Sequence, residues 1–536
     1  MNHLYYGDNL TRMQRMAKHS VDLIYLDPPF NSKQNYNLIY RNMTGKPVPD
    51  QAEAFCDTWD MDAEKEELAR TMPVLMREHG VQDYYVEFWR LWINALRHTQ
   101  PHLLAYLIYM VQRLLHMRSI LRPTGSIYLH CDPTASHYIK VMMDGIFGHR
   151  NFEAEIIWQR TNARGTTGRW PRLHDVILHY SAGEKFTFHP TRVKADARKM
   201  PHTLITGADG QKYQTYEMTA PGLTKEGESG KPWRGFDPSS FGRHWANNQK
   251  VMDEWDAAGL IHWPARNGFP RRRGAEPFDP ESRQVVVGDV WTDIDRINQS
   301  AGERLGYPTQ KPIALLDRII NASTNKGDVV FDPFCGCGTT IYSAVKNDRQ
   351  WIGCDIAILS VKLIREILTG ERYRLVEGHH FEVSGIPVTE KQAIELFKRD
   401  PFQFEHWLVE RVGGFPTKKT GDKGVDGRMY FETKEGLRCM VLSVKGGKLR
   451  PTDVRDLRGV LADHPDTEMA GFLSLQEPTK AMREAASLAG RYSYGGVDYD
   501  RIQFLTAKDI LEGKREFHTP TKIASRISTK QGSLAL

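Results

Sequence analysis

Residues 327–340 read Gly327-Asp-Val-Val-Phe-Asp332-Pro-Phe-Cys-Gly-Cys-Gly-Thr-Thr340, and the fold class turns on them. An apolar run ends at a carboxylate, and a glycine-bearing turn leads into a helical pattern over 339–346. A second apolar run, 351–354, ends at Asp355, and 360–368 are helical again. This strand–helix–strand order predicts a parallel α/β sheet. Gly336 and Gly338 let the backbone approach a ligand, and the helix start offers free N–H groups. Asp355 stands where a carboxylate accepts hydrogen bonds from ribose hydroxyls. A glycine pair alone is often only a tight turn. Strand, turn, helix and distal acid together predict a nucleoside site. Thr339 and Thr340 stand where a dinucleotide fingerprint approaches its third glycine. The pattern therefore disfavours pyrophosphate and suits a nucleoside with a charged non-phosphate group.

Working outward, 312–324 are helical, and 20–26 form an apolar run ending in Asp27-Pro-Pro-Phe30. The prolines end the strand and free its carbonyls from the ladder. An aspartate beside such a carbonyl offers two acceptors to an exocyclic amino group, and Phe30 offers a face to a planar base. The plainer reading is a strand-ending turn with a buried phenylalanine. Residues 40–80 are polar and read as an insertion. Helical periodicity runs over 84–121, Pro123-Thr-Gly125 reads as a turn, and 126–130 read as a buried strand. A short helix over 139–147 and strands at 156–158 and 176–180 follow. Gly, Pro, Arg and Trp dominate 190–290, which predicts a loop-built module outside any sheet.

At 536 residues the chain has room for about three to four units. Hydrophobic residues make up 40% and charged residues 26%, which excludes a wholly disordered chain. A net charge of +6 excludes a histone-like polycation and leaves room for local basic grooves. The longest clean apolar run, 103–111, falls far short of the ~20 residues that span a bilayer, and residues 1–10 carry no apolar leader. The expectation is a cytoplasmic protein without membrane contact. The six cysteines form no CxxC pair, so neither a structural zinc site nor a disulfide framework is expected.

Asp27-Pro-Pro-Phe30 together with residues 332–338 resembles the β-class amino-methyltransferases of DNA. Gly7-Asp-Asn-Leu10, Leu121-Arg-Pro-Thr-Gly-Ser-Ile-Tyr-Leu-His130, His174-Asp-Val-Ile-Leu-His-Tyr180 and Tyr307-Pro-Thr-Gln-Lys-Pro312 match further motifs in the same order. The resemblance covers roughly residues 1–375. It implies a Rossmann-like sheet that uses S-adenosylmethionine to methylate adenine N6 or cytosine N4 in double-stranded DNA. Asp27 and the Pro28 carbonyl would hold the target amino group, with Pro29 stiffening the loop and Phe30 stacking on the flipped base. Asp332, Pro333, Phe334, Gly336, Gly338 and Thr339 would cradle the methionine part of the cofactor. Asp355 would bind ribose, Asp8 adenine, and Thr309, Lys311 and Pro312 would flank the methionine carboxylate. Aspartate rather than serine at position 27 resembles the adenine-N6 members more than the cytosine-N4 members. On this reading 1–190 and 291–375 form the catalytic and cofactor parts, and 191–290 form an inserted target-recognition region. There Arg271, Arg272 and Arg273, with Arg164, Arg169 and Arg172 before it, would meet phosphates or guanine edges. Solvated loop charges are the plainer reading of those arginines. Family members often dimerise, which puts a second copy of the chain among the expected partners.

A linker is expected at 376–394, a smaller α/β domain at 395–513 and a mobile tail at 514–536. Helices at 391–398 and 404–412 precede an antiparallel strand pair, 426–431 and 438–445. Glu405, Asp426, Ser443 and Lys445 resemble the active-site set of Mrr-like restriction endonucleases of the PD-(D/E)xK class. The resemblance implies Mg²⁺ on Asp426 and a lysine beside the scissile phosphate. Ser443 stands where that family usually has Glu, Asp or Gln, and serine is a weaker metal ligand. Two readings stay open: a nuclease fused to the methyltransferase in restriction–modification or defence, or a nuclease-like domain kept for DNA binding. A third is a nuclease that uses the N-terminal region for site recognition.

Overall fold

The computed structural model describes residues 2–29, 36–38, 52–55, 59–162, 168, 170–194, 204–224, 227–264, 268–278, 284–298, 301–305, 307, 309–417, 425–434, 436–463, 467–520, 526–529 and 532–535. The chain divides into two compact units, one of Met1–His189 with Gly288–Leu536 and one of Pro190–Val287.

The first unit is built on a nine-stranded sheet. In chain order its strands are β1 (Asn2–Tyr6), β2 (Val21–Leu26), β3 (Leu121–Cys131), β4 (Phe152–Gln159), β5 (His174–Ser181), β6 (Val290–Trp291), β7 (Val329–Asp332), β8 (Gln350–Asp355) and β9 (Phe381–Ser384). Across the sheet they lie in the order β6-β4-β5-β3-β2-β7-β8-β1-β9. β5 runs antiparallel to both neighbours, and the other pairs are parallel. β2 is buried at every position, as a strand covered on both faces must be. Its carboxylate, Asp22, accepts the N–H of Val329 at 2.9 Å and is gripped by Arg122 at 2.9 Å. The loops after β2 and β7 therefore leave the sheet side by side.

Three helices close one apolar core with these strands: Ala63–Glu78, Asp83–Thr99 and Pro101–Ile120. This corrects the insertion expected over 40–80. Ala69, Met72 and Met76 recur at helical spacing on a polar background and are buried. Asp62 starts that helix by accepting the N–H of Lys65. The single helical run expected over 84–121 is two helices, because Pro101 can only begin a new one. The turn expected at 123–125 is an irregularity inside β3, where Leu121 faces Val21 and Ser126 faces Leu23.

The C-terminal part carries a five-stranded sheet in the order Phe415–Pro416, Gly427–Thr433, Gly436–Lys445, Thr467–Ser474, Ile502–Thr506. It belongs to the same compact unit as the nine-stranded sheet, not to a detached domain. The expected linker contains β9, which pairs with β1. The expected mobile tail folds back at its start. Phe517 is 4% exposed and lies against Gly471, where a Cβ would come within 2.5 Å of its ring. Further on, Arg526–Thr529 pairs with Gly532–Ala535.

The second unit corrects the loop-built expectation for 190–290. It has its own four-stranded antiparallel sheet, in the order Ile261–His262, Arg271–Arg273, Lys212–Glu217, Leu204–Thr206. Its core gathers Met218, Trp233, Trp245, Met252 and Ile261. The five described cysteines are free and buried. Among the described residues no helix is long and apolar enough to cross a membrane.

Phe517→Ala should lower stability by roughly 3 kcal/mol, because it empties a buried ring site. Urea melting of the full chain reads this out; a tail that contributes nothing would leave the midpoint unmoved.

Candidate active site

β7 delivers Asp332 to the sheet edge, and the turn after it passes through two glycines. Gly336 has φ +49° and Gly338 φ +86°, and a Cβ on Gly338 would sit 2.7 Å from Cγ1 of Ile364. Side chains are excluded there on conformational and steric grounds alike. The helix Thr339–Lys346 starts immediately afterwards. Cys335 N–H donates to the Cys354 carbonyl at 3.1 Å, which ties the turn to β8.

Two buried carboxylates shape this turn. Asp332 accepts the N–H of Phe334 at 3.0 Å and a bond from the Thr340 side chain. Asp355 accepts the N–H of Gly336 and of Ala357, each at 2.8 Å. Burial pushes Asp332 up to about 7 and Asp355 up to about 6, and their hydrogen bonds offset only part of that.

The Gly7-Asp-Asn-Leu10 segment is held from an unexpected direction. Asp8 caps the helix Asn9–Met13 and pairs with Arg113 at 2.7 Å. Arg113 Nε also donates to Asn9 at 2.7 Å, and Asn9 donates to the Pro333 carbonyl at 2.9 Å. Neither Arg113 nor Asn9 was expected at the site. The signal for Arg113 is an arginine set between Val111 and Leu114 in the helix Pro101–Ile120, 6% exposed in the structure.

Opposite the glycine turn, Asp27 follows β2. Its Oδ2 forms an ion pair with Lys311 Nζ, and its Oδ1 is buried with no hydrogen-bond partner among the described residues. A cleft joins the two loops. Of the expected residues, Asp27, Pro28, Pro29, Thr309, Lys311, Asp332, Phe334, Gly336 and Thr339 line it. Tyr25, Tyr307, Gln310, Cys335, Cys337 and Thr340 line it as well and were not expected. Asp8, Asp355 and Gly338 hold the surrounding loops, and Pro312 caps the helix Ile313–Ser323. Lys311, expected beside a methionine carboxylate, meets Asp27 here. Phe30, Arg164 and Arg169 lie outside the described residues.

Arg271, Arg272 and Arg273 form a strand of the second unit. Arg272 lies over the Trp255 ring at 4.6 Å, Arg273 over Tyr213 at 4.2 Å, and Arg271 donates to Thr215 at 3.0 Å. Their guanidinium groups are engaged within that unit's own packing.

In the C-terminal sheet Asp426 Oδ2 accepts the N–H of Val444 at 2.6 Å and the Ser443 hydroxyl at 3.3 Å. Burial raises its pKa, against those bonds and the charge of Lys445. Glu405 sits in the helix Pro401–Arg411. Among the described residues no three His, Cys, Asp or Glu side chains gather where they could hold a metal. Asp426 thus lies against the neighbouring strand Gly436–Lys445, and Ser443 stands where the second acid was looked for.

A family model described as DNA methylase matches residues 21–366. The type II methyltransferase M.EcaI of Enterobacter cloacae is 33% identical over 262 residues, 48% of this chain and 56% of that protein. The type III restriction-modification enzyme StyLTI Mod subunit of Salmonella typhimurium is 26% identical over 374 residues, 64% of this chain and 50% of its own. The DNA adenine methyltransferase YhdJ of Escherichia coli is 41% identical over 102 residues, 19% of this chain and 34% of its own. The chain thus spans about half or less of the length of these relatives.

The raised carboxylates set a pH dependence. A group whose folded pKa exceeds its unfolded value, about 3.9 for aspartate, stabilises below that value and loses the contribution as pH rises through the folded pKa. For Asp332 that loss is complete above about 7. Asp332→Asn should therefore melt above the parent at pH 8, with the gap closing towards pH 5. Thermal melts of the ligand-free protein across that range check it; a gap that widens on acidification would contradict the raised pKa.

Proposed function

The chain belongs to the DNA methylase family, and from that premise we propose that it transfers a methyl group from S-adenosylmethionine to adenine N6 in duplex DNA. The observation that carries this reading is Asp27 Oδ1, a buried acceptor without a partner among the described residues, opening on the same cleft as the glycine turn. A buried acceptor left bare costs free energy that a bound donor returns.

The residues fit the cofactor. Asp332 and Asp355 are carboxylates that burial drives towards the neutral form. A cationic sulfonium and ammonium in the cleft would restore their charge. Gly336 and Gly338 leave the backbone bare, and a cofactor held there could approach it closely. When bound, S-adenosylmethionine supplies a methyl group already activated by its sulfonium. The protein's own part is positioning. Asp27 Oδ1 and the Pro28 carbonyl accept the two N–H groups of the amino substituent and turn its lone pair towards the methyl group. Lys311 fixes the Asp27 carboxylate plane through Oδ2. A flipped base reaches this depth only after leaving the duplex stack, with Phe30 as its stacking face. Such alignment supplies much of the rate of a displacement reaction.

Adenine is favoured over cytosine by aspartate at position 27 and by the name of the Escherichia coli relative, a DNA adenine methyltransferase. The second unit, Pro190–Val287, lies between the catalytic and cofactor motifs and supplies target recognition. Modification within a restriction–modification system is the setting that the relatives' names support. For the C-terminal sheet, the engagement of Asp426 with Val444 and Ser443 favours a part that does not cleave DNA through a metal.

Unmethylated plasmid incubated with the protein and S-adenosylmethionine in EDTA should yield N6-methyladenine by nucleoside mass spectrometry. Asp27→Ala should reduce the yield by roughly a hundred- to ten-thousandfold. N4-methylcytosine instead would overturn the base assignment and keep the chemistry. With Mg²⁺ added, the plasmid should stay uncut; linear products that vanish in Lys445→Ala would establish a nuclease.

A further inference from the structure

A line of buried polar side chains runs under the cleft, and the positioning chemistry above leaves it unused. Tyr25 on β2 lines the cleft two residues before Asp27 and is 2% exposed. Its hydroxyl lies 3.0 Å from Nδ1 of His130 on β3. His130 is fully buried, and its Nε2 lies 3.2 Å from Oδ2 of Asp175 on β5. The other Asp175 oxygen meets Nε of Arg160 at 3.2 Å, and Arg160 is half exposed. The line therefore crosses three neighbouring strands from the cleft to the protein surface. Leu129, Cys131, Val176 and Ile177 beside it are apolar, so packing alone does not call for these groups. Burying a chain of this kind costs desolvation that only mutual hydrogen bonding offsets.

The bonding pattern gives the line a direction. Asp175 is an acceptor, so it takes the Nε2–H of His130 and leaves Nδ1 as an acceptor for the Tyr25 hydroxyl. Trp158 sits edge-on to the imidazole, 5.8 Å between ring centres, and fixes its plane. Burial pushes the Asp175 carboxyl up, but His130, Arg160 and Lys311 together bring it below its ordinary value. The charged groups around the line are thus Asp175, Arg160 and Lys311, with Asp27 and Asp332 facing Tyr25 from the cleft side.

Methyl transfer to an amino group makes one N–C bond, breaks one C–S bond and leaves a proton to be removed from the nitrogen. Asp27 Oδ2 is already held by Lys311. We propose that Tyr25, His130 and Asp175 receive this proton. Asp27 Oδ1, which holds that N–H, hands the proton to the Tyr25 oxygen while the tyrosine's own proton passes to His130 Nδ1, and Asp175 pairs with the resulting imidazolium. The proton returns to solvent when the cleft empties. The proposal rests on the methyltransferase reading. Tyr25 faces the cleft, and His130 and Asp175 act through it.

The test is the single-turnover methylation rate of the full chain between pH 5.5 and 9, with cofactor and DNA binding measured alongside. Tyr25→Phe removes one oxygen and leaves the His130–Asp175 pair in place. It should slow the transfer roughly a hundredfold with binding unchanged. His130→Gln should slow it similarly and flatten the acid limb of the profile, and Asp175→Asn should move that limb to lower pH. Parent-like rates and profiles in Tyr25→Phe and His130→Gln would overturn the relay and leave the methyltransferase reading standing. So would losses that only track the amount of folded protein with the profile unmoved. A parent that methylates no duplex would remove both.

Discussion

The site depends on one contact inside the sheet. Asp22 is a carboxylate in a strand that is otherwise Val, Leu, Ile and Tyr, and it accepts the N–H of Val329 at the start of β7. That bond sets the register in which Leu23 faces Val330 and Ile24 faces Phe331. Side chains alternate along a strand, so a slip by one residue would turn every buried group to the wrong face. With the register held, β2 and β7 end together, and Asp27 and Asp332 emerge on the two sides of one cleft. Arg122 closes the arrangement by neutralising Asp22 at the sheet's rim.

The cleft is electrostatically unfinished. Asp27, Asp332 and Asp355 come together at the ends of three adjacent strands, and Lys311 answers the first of them. The other two stay buried, spend their oxygens on backbone N–H groups, and titrate well above ordinary carboxylates. A site of this kind is strained when empty and relaxes around a cationic ligand. The same logic explains Arg113: Asp8 also stands at the end of a strand, and there the counter-charge comes from the protein, out of an apolar helix.

Where short-range chemistry determined the structure, the sequence was readable. The runs before Asp27, Asp332 and Asp355 are apolar and end at an acid, and each is a strand. The helix expected over 339–346 starts and stops there, because Gly338 and Asn347 punctuate it. Seven of the nine cleft residues named from motifs belong to the stretches that begin at Asp27 and Asp332. What escaped was long-range. Arg113 reaches Asp8 from 105 positions away, and His130 meets Asp175 across 45. The helix Ala63–Glu78 hid because its buried residues are few and its exposed ones strongly charged. The sheet of the second unit hid because its strands are two to six residues long and carry arginines on aromatic rings, a pattern that composition alone assigns to loops.

The same distance effect hid the bond between the two halves of the first unit. Glu410, on a C-terminal helix, accepts the N–H of Ile358 at 3.2 Å, and Ile358 opens the helix that follows Asp355. Burial where the two parts meet pushes Glu410 up to about 8. Leu363 of the same helix and Tyr307 of the cleft share an apolar cluster with Val454, Leu457 and Phe472. A helix cap and a common core join the C-terminal sheet to the cofactor half. Asp426, just before the strand Gly427–Thr433, is bonded to Val444 and Ser443 of the strand beside it.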